Sequence, residues 1–364
     1  MKAAVVREPG TITVEDIDIP TPGPRQVRVR LVATGVCHSD VTGLSGLVPV
    51  PTPVVLGHEG AGIVDAVGSA VTSLSPGDHV VLSITDGCGR CYQCQNGAFG
   101  LCEISAPRQL AGTLGDGTTP LSKGSETIHN YLLQSSFAEY AVVPEQCAVK
   151  IREDAPLEVA ALLACGVTTG YGAVVRKARV APFASVLIIG LGGVGLASVM
   201  AARLSGATTI IGVDRSKEAC DLAMELGLTH TIVADESTDI LGEVMALTGR
   251  GVDHAFDVVG ISDTMNLAIA ATRAGGEAVL IGLGDVMAVA TVPLFLLLSE
   301  KRITGTTNGS IRPHVDIPAI LDLFMEGRFP VDKLITRRYA LGDIATALAE
   351  VGSGPGRGVI TFDE

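Results

Sequence analysis

A segment near the N-terminus holds three side chains that can bind a metal ion. Cys37 offers a thiolate, His58 an imidazole and Glu59 a carboxylate. Sulfur and nitrogen donors suit zinc, and a catalytic zinc site has three protein ligands and one open position. We therefore expect a further ligand from a distant part of the chain, and Cys165 in the sequence ACGVTTG is the candidate. Taken alone, Cys37 and His58 are equally compatible with a buried thiol and a hydrogen-bonded surface histidine.

Four further cysteines form the pattern C-x2-C-x2-C-x7-C, at Cys88, Cys91, Cys94 and Cys102. Four thiolates can bind one zinc ion tetrahedrally and hold a loop in place. An iron–sulfur cluster is the alternative, but the bacterial ferredoxin pattern places its fourth cysteine four residues after the third, with a proline next. Here Cys102 is eight residues after Cys94, and Glu103 follows. The spacing favours structural zinc, and disulfides are disfavoured because the first residues do not predict a secretory signal.

The composition predicts a globular chain of two domains, because 364 residues exceed what one hydrophobic core usually supports. Hydrophobic residues make up 47% and charged residues 18%, which argues against disorder. The net charge of −13 disfavours nucleic acid or an anionic membrane as a partner. Glycines and Pro293 interrupt the longest apolar stretch, residues 278–298, which therefore predicts a buried strand and loop instead of a membrane span. We expect a cytoplasmic protein.

The first 100 or so residues predict an irregular β domain. Apolar and polar residues alternate there over short runs bounded by Gly, Pro or Asp, as in the sequence QVRVRLV. Residues 106–125 are rich in Gly, Thr and Pro without any period, and they predict a long loop. A strand is expected at residues 139–143 and a helix over residues 156–163.

A glycine-rich motif follows a continuous apolar strand at residues 186–189 and precedes an amphipathic helix. The motif comprises Gly190, Gly192, Gly193, Val194 and Gly195. A lone G-x-G-x-x-G is a weak signal, but Asp214 ends the next predicted strand, 19 residues beyond Gly195. In this context the motif is a dinucleotide-binding fingerprint, in which the glycines let the pyrophosphate approach the helix N-terminus and the acid binds the adenosine ribose.

The remaining pattern predicts a six-stranded doubly wound sheet. A helix is expected over residues 216–226, and strands at residues 230–233, 253–258, 276–282 and 302–305. Residues 312–362 return to short helices and strands and are expected to rejoin the first domain. The predicted architecture is α/β, with a catalytic β domain at 1–166 and 308–364 and a Rossmann domain at 167–307.

These motifs stand along the whole chain in an order that resembles the zinc-dependent medium-chain alcohol dehydrogenases, with their GroES-like catalytic domain. The long loop after Cys102 resembles the liver-type and glutathione-dependent formaldehyde dehydrogenase branches. The resemblance implies that Cys37, His58 and Cys165 bind the catalytic zinc, and that Glu59 can bind it transiently. Asp40 would orient His58, since metal-bound imidazoles need such a partner.

The resemblance also assigns residues to the cofactor and to proton transfer. Thr169 and Val194 match positions that pack on the nicotinamide, and Arg357 matches an arginine that binds the pyrophosphate. Ser39 would pass the hydroxyl proton of the substrate towards the cofactor ribose and water. We expect NAD to be preferred over NADP, because Asp214 would face the additional phosphate, although the neighbouring Arg215 reduces that repulsion.

Four positions depart from the resembling branches. His38 stands where many relatives have an arginine that contacts the pyrophosphate, and Thr42 stands where liver-type enzymes have the histidine that ends the proton relay. Val48 and Ala106 replace the acidic and arginine residues that the formaldehyde dehydrogenase branch uses for its glutathione adduct. We therefore expect that glutathione adducts are not substrates.

The expected reaction is NAD-dependent oxidation of a primary alcohol. The resemblance places six side chains along the substrate channel: Val48, Ile84, Leu101, Tyr131, Leu132 and Leu283. Most are aliphatic, and Ile84 stands where enzymes that favour ethanol carry an aromatic ring, so bulky aromatic or allylic alcohols are the expected substrates. A secondary-alcohol or polyol dehydrogenase and a non-enzymatic use of the fold are the alternatives. The resemblance also implies a homodimer, with a tetramer as the alternative, because the long loop accompanies dimers in the resembling branch and the run at residues 289–298 lies where the family's nucleotide domains join.

Overall fold

The computed structural model describes residues 1–285 and 287–362. Its first part is built from short strands, as the alternating sequence pattern predicts. These strands are β1 Lys2–Glu8, β2 Thr11–Asp16, β3 Gln26–Gly35, β4 Val54–Val55, β5 Glu59–Val67, β6 His79–Leu82, β7 Leu121–Lys123, β8 Glu126–Ile128, β9 Tyr140–Pro144 and β10 Ala148–Lys150. Three short helices lie between them: α1 His38–Ser45, α2 Tyr92–Gln95 and α3 Ser105–Leu110.

The largest sheet of this part is built on β3 and carries the metal-binding segments at its end. β3 pairs antiparallel with β5 and with β9, and β6 and β10 extend the sheet beyond β5. Val27, Val29 and Leu31 alternate along β3 and are fully buried, because one face of the strand packs on the core. β1, β2 and β4 form a second sheet.

The long loop predicted over residues 106–125 is only partly a loop. Its first five residues all lie in α3, which starts at Ser105, and Ala106 N–H donates to the carbonyl of Cys102. At the other end Leu121 pairs with Ile128 in the β7–β8 hairpin. The composition missed both elements because their stability comes from tertiary packing and not from sequence periodicity.

The second part is a parallel sheet with helices on both faces. Its strands are β11 Ser185–Ile189, β12 Thr209–Asp214, β13 His230–Val233, β14 Val252–Asp257, β15 Thr272–Leu280 and β16 Arg302–Gly305. Its helices and those leading into it are α4 Leu157–Ala161, α5 Gly166–Gly172, α6 Gly193–Leu204, α7 Lys217–Leu226, α8 Ile240–Thr248, α9 Ser262–Ala271 and α10 Leu294–Leu298. The strand order β13-β12-β11-β14-β15-β16 confirms the doubly wound prediction.

The C-terminal segment returns to the first sheet. It contains α11 Pro313–Met325, β17 Ile335–Ala340, α12 Ile344–Ala349 and β18 Arg357–Thr361. β18 pairs antiparallel with β3, and β17 pairs parallel with β18. An isolated bridge between Gly192 and Gly356 joins this segment to the glycine-rich turn. The start of β18 therefore lies between the metal-binding sheet and the Rossmann sheet.

The apolar stretch at 278–298 begins in the buried strand that its composition predicts, with Ala278 and Val279 fully buried, but it does not end in a buried loop. β15 ends at Leu280, and the run finishes in the short helix α10 with Leu294 and Phe295 at 69% and 79% exposure. In the described part of the chain no single helix is long and apolar enough to cross a membrane. One bent pair, Leu157–Ala164 with Gly166–Lys177, meets that test by length and composition.

Candidate active site

Four potential metal ligands from three separate segments meet at one point. Cys37 caps the N-terminus of α1, His58 and Glu59 stand at the start of β5, and Cys165 immediately precedes α5. One ligand atom from each of these four side chains lies within 4.8 Å of the others. Two thiols, an imidazole and a carboxylate at this separation form a donor set that suits zinc.

The Asp40 carboxylate orients this ligand set. Its Oδ1 accepts hydrogen bonds from His58 Nδ1 at 2.8 Å and from Gly57 N–H at 3.1 Å, and its Oδ2 accepts one from Cys37 N–H at 3.0 Å. Asp40 and His58 are both fully buried. The other ring nitrogen, His58 Nε2, is buried without a hydrogen-bond partner among the described residues. A bound metal ion would satisfy this atom, so the residues fit a zinc site.

The charges around the thiols favour metal binding. The side-chain contact with Cys165 and the charge of Arg357 hold the pKa of Cys37 well below its usual range, although burial opposes this. The same contact and burial raise the pKa of the Cys165 thiol. A metal cation bound between the two sulfurs would favour the thiolate form of both.

Glu59 is held beside the ligand set by an ion pair with Arg357. Arg357 Nη2 lies 3.0 Å from Glu59 Oε1, and Gly166 N–H donates to the same oxygen at 3.1 Å. The second oxygen, Oε2, is buried and has no partner in the described structure. Burial raises the pKa of Glu59 to about 7, although the charge of Arg357 acts in the opposite direction. The free oxygen fits the transient ligand role that the sequence suggests.

The second cysteine cluster is closed and lies in a lobe of its own. The sulfurs of Cys88, Cys91, Cys94 and Cys102 lie within 4.8 Å of one another. Backbone N–H groups donate to these sulfurs at 3.4 to 3.5 Å, including Cys91 N–H to Cys88 and Ser105 N–H to Cys102. Four thiolates with N–H···S hydrogen bonds form a structural zinc site with no open position. No disulfide forms, since all eight cysteines are free.

The glycine-rich turn has the geometry of a dinucleotide site. A Cβ on Gly195 would lie 1.9 Å from the carbonyl oxygen of Gly190, which itself adopts φ +94°, so neither position tolerates a side chain. Asp214 Oδ2 accepts from Leu191 N–H at 2.7 Å and Oδ1 accepts from Ser216 N–H at 2.9 Å. Each carboxylate oxygen retains a lone pair that can accept from a ribose hydroxyl.

The remaining predicted cofactor residues fall into two groups. Gly192, Gly193, His38 and Arg357 line one small cavity between the glycine-rich turn and the C-terminal segment. Arg357 is buried there and donates to the carbonyl of Val36 at 3.2 Å as well as pairing with Glu59. The second group contains Val194 at the start of α6, half-buried, and Arg215, whose side chain is exposed beyond Asp214.

Asn308 is a polar residue of the site that sequence reasoning missed. Its Oδ1 accepts from Thr169 Oγ1 at 3.1 Å, and its Nδ2 donates to Thr85 Oγ1 at 3.2 Å. It has φ +46°, and the following Gly309 has φ +64°. The Asn-Gly dipeptide was the available signal, because these two residue types tolerate the left-handed region best.

The six residues predicted to line the substrate channel do not all line one cavity. Tyr131 packs edge-on against His58, with 5.8 Å between ring centroids, and its hydroxyl donates to the carbonyl of Ser39 at 2.5 Å. Ser39 Oγ lies 4.0 Å from Cys37 Sγ. A separate cavity is lined by two of the six predicted residues, Ile84 and Leu101, whereas the other four do not line it: Val48, Tyr131, Leu132 and Leu283. Leu283 is 51% exposed.

Two protein-family models match the chain: an alcohol dehydrogenase GroES-like domain over residues 23–153 and a zinc-binding dehydrogenase domain over residues 193–326. An S-(hydroxymethyl)glutathione dehydrogenase from Paracoccus denitrificans is 37% identical over 353 residues, or 94% of each chain. The crystal structure of a benzyl alcohol dehydrogenase from Acinetobacter calcoaceticus has a TM-score of 0.94 at 35% identity, covering 100% of this chain and 99% of its own. A zinc-binding domain alcohol dehydrogenase protein from Burkholderia ambifaria has a TM-score of 0.95 at 38% identity, with the same coverage.

The chain therefore belongs to the zinc-dependent medium-chain alcohol dehydrogenases. As a member of this family it is an oxidoreductase that acts on small alcohols or aldehydes with zinc and a nicotinamide dinucleotide. The two ligand sets correspond to two zinc ions per chain, one in an open site and one in a closed site. The family, fold and cofactor predictions from the sequence are confirmed.

Loss of one ligand from each site should have separable effects. We expect His58→Ala to lower the zinc content from two ions to one and to abolish turnover while NADH binding persists, because His58 does not line the cavity at the glycine-rich turn. Cys91→Ser should also remove one zinc ion but should lower the melting temperature. Metal analysis, NADH fluorescence and thermal unfolding measure these effects, with the exposed His230→Ala as control. Full zinc content in His58→Ala would contradict the assignment.

Proposed function

We propose that the enzyme oxidises bulky primary alcohols, aromatic or allylic, to aldehydes with transfer of hydride to NAD, and that the reaction is reversible. The observation that carries this proposal is the open ligand set together with a cavity of about 380 Å³, far larger than ethanol requires, which Asn308 connects to Thr169 close to the ligand Cys165. The benzyl alcohol dehydrogenase of similar structure supports an aromatic substrate. Ile84 in the cavity wall leaves space that an aromatic ring would fill.

In this proposal the protein holds the substrate hydroxyl at the open side of Cys37, His58 and Cys165. Zinc held by these ligands would supply Lewis acidity toward the hydroxyl, and NAD held at the glycine-rich turn would supply the hydride acceptor. Asp40 keeps the His58 ring in the orientation that directs Nε2 at the metal. Ser39 Oγ, close to Cys37, takes the hydroxyl proton and releases it towards solvent. Thr42 cannot replace a relay histidine, because its hydroxyl donates to the carbonyl of Ser39 at 2.9 Å.

Glutathione adducts are excluded from this proposal although the relative from Paracoccus denitrificans is named for such a substrate. Val48 and Ala106 offer no charge to the glycine and glutamate ends of an adduct. Ala106 lines the cavity and is exposed, so an arginine there would reach the substrate, but alanine provides only a methyl group.

We propose further that the enzyme is a homodimer joined through the α10 region. Leu294, Phe295 and Leu298 are all at least 69% exposed, next to β16 at the edge of the Rossmann sheet. Such a contiguous apolar surface is typical of a subunit interface. The apolar run at residues 289–298, which is predicted to lie at this interface, ends in the short helix α10. The edge strand of the Rossmann sheet that a partner could pair with is β16.

The dimer has a direct test in the mass of the purified protein. We expect light scattering to give the mass of two chains, and Phe295→Asp to shift the protein towards one chain because it buries a charge at the interface. Phe183→Asp is the matched control, since Phe183 is 83% exposed on another surface. A monomeric wild-type mass would refute the dimer, and a tetramer would require a second interface.

Cofactor choice should depend on Asp214. We expect catalytic efficiency with NAD to exceed that with NADP by at least about 100-fold, because the carboxylate repels the additional phosphate. Asp214→Ser should narrow this ratio, whereas Glu243→Gln on the exposed surface of α8 should leave it unchanged. Steady-state kinetics with both cofactors measure the ratio, and comparable efficiency in the wild type would refute the prediction.

An alcohol panel tests the proposed substrate class. We expect kcat/KM for benzyl alcohol and geraniol to exceed that for ethanol by at least about 10-fold, because each additional buried CH2 contributes about 0.8 kcal/mol. Ile84→Trp should depress the bulky substrates and spare ethanol. Ethanol in first place would overturn the wide-channel proposal. Cyclohexanol in first place would favour the secondary-alcohol alternative, and an equal loss on all alcohols would show that Ile84 does not set the width.

A further inference from the structure

The cavity lined by Ile84 and Leu101, next to the cysteine lobe, has acidic but no basic residues in its lining. Its volume is about 380 Å³, and one wall is apolar, formed by Ile84, Phe99 and Leu101. Two carboxylates, Asp86 and Glu103, also line it. None of the lining residues, all of which lie in the described part of the chain, is Lys, Arg or His. The cavity lining therefore contains two carboxyl groups and no cationic side chain, although burial raises the pKa of Asp86 and the charge of Arg108 opposes that shift from outside the lining.

The Asp86 carboxylate is a fixed part of this wall. It is 4% exposed, its Oδ2 accepts from Ser105 Oγ at 3.2 Å, and its Oδ1 accepts from the amide of Gln146. A Cβ on Gly115 would lie 1.6 Å from Oδ2, so the loop can pass behind the carboxylate only as glycine. The nearest cation, Arg108, donates to the carbonyl of Gly115 and does not line the cavity.

Glu103 supplies the second charge at the exposed side of the cavity. It directly follows Cys102, whose sulfur belongs to the closed zinc cluster, so its backbone is held by the lobe. No ion pair engages Glu103 in the described structure. Since an exposed charge is screened over about 8 Å at physiological salt, Glu103 acts on molecules within the cavity and not on the wider surface.

Hydrogen bonds connect this cavity to the catalytic ligand set. Asn308 lines the cavity and donates to Thr85 Oγ1, the residue next to Ile84. Its Oδ1 accepts from Thr168 Oγ1 at 3.4 Å, and the same hydroxyl lies 3.0 Å from the carbonyl of the ligand Cys165. Thr168 thus lies between Asn308, in the cavity wall, and the metal-binding residue Cys165.

We propose that this cavity receives the body of the alcohol and that Asp86 and Glu103 make the enzyme select against substrates with an anionic group. Neutral or cationic alcohols are accepted, and alcohols with a carboxylate remote from the hydroxyl are rejected. The inference rests on the proposed function, since it assigns the cavity to the same substrate. The physical cause is that an entering anion loses hydration and meets the charge of Glu103 and the acceptor oxygens of Asp86, with no cationic side chain in the cavity lining to pair it.

Para-substituted benzyl alcohols test the selection without requiring turnover. The zinc-loaded enzyme with NADH forms a complex that binds alcohols but cannot oxidise them, and calorimetry gives Kd for each alcohol. We expect 4-(hydroxymethyl)benzoate to bind at least about 10-fold more weakly than 4-methylbenzyl alcohol. 4-(Aminomethyl)benzyl alcohol should bind at least as well as the neutral compound. Equal affinity for the anionic and neutral compounds would overturn the proposal.

Reversing the charge of Glu103 tests whether the selection against anionic alcohols arises in the cavity. Glu103→Lys should reduce the neutral-to-anionic ratio of affinities by about 5-fold or more, and Glu103→Gln by a smaller factor. Glu153→Lys changes the charge equally at an exposed position outside the cavity, and it should leave the ratio unchanged. An equal shift in Glu103→Lys and Glu153→Lys would show that net charge, and not the cavity, causes the selection. Failure to oxidise benzyl alcohols would refute the proposed function, but the affinity ratio would still decide this inference.

Discussion

The buried Asp40 carboxylate is the interaction on which the active site depends. A buried charge is costly unless hydrogen bonds compensate it, and both oxygens of Asp40 accept such bonds, from His58 Nδ1 and from two backbone N–H groups. Those N–H groups belong to Cys37 and to Gly57, next to His58. One carboxylate therefore fixes the α1 N-terminus and the start of β5 together, and sets the separation of the thiol and imidazole ligands.

Two further buried polar residues, Arg357 and Asn308, connect the metal ligands to the glycine-rich turn and to the large cavity. Arg357, at the start of β18, joins Glu59 to the edge of the glycine-rich turn, because a Cβ on Gly193 would meet its side chain at 2.2 Å. Asn308 joins the turn after Cys165 to the wall of the large cavity. Both residues come from the far end of the chain, so the site is complete only after the C-terminal segment has returned to the first sheet.

The cysteine lobe links metal binding to substrate recognition. The closed cluster needs no open position for chemistry, but Cys102 is adjacent to Glu103, and α3 follows it into the cavity wall. The cysteine lobe therefore contributes part of the cavity wall. The loop expectation for residues 106–125 missed this connection, since α3 has no amphipathic period and forms because the preceding lobe directs the chain into it.

The sequence by itself determined the two zinc ligand sets, the dinucleotide turn, the strands of the Rossmann sheet and the family. Each of these depends on residue types at fixed spacing, such as four thiols or a glycine turn between a strand and a helix. Only the tertiary structure decided that Asn308 bridges the site, that Arg357 pairs with Glu59, and that the 278–298 run ends in an exposed helix. These features join residues far apart in the chain, and no local pattern records which distant side chain completes a buried hydrogen bond or covers an apolar surface.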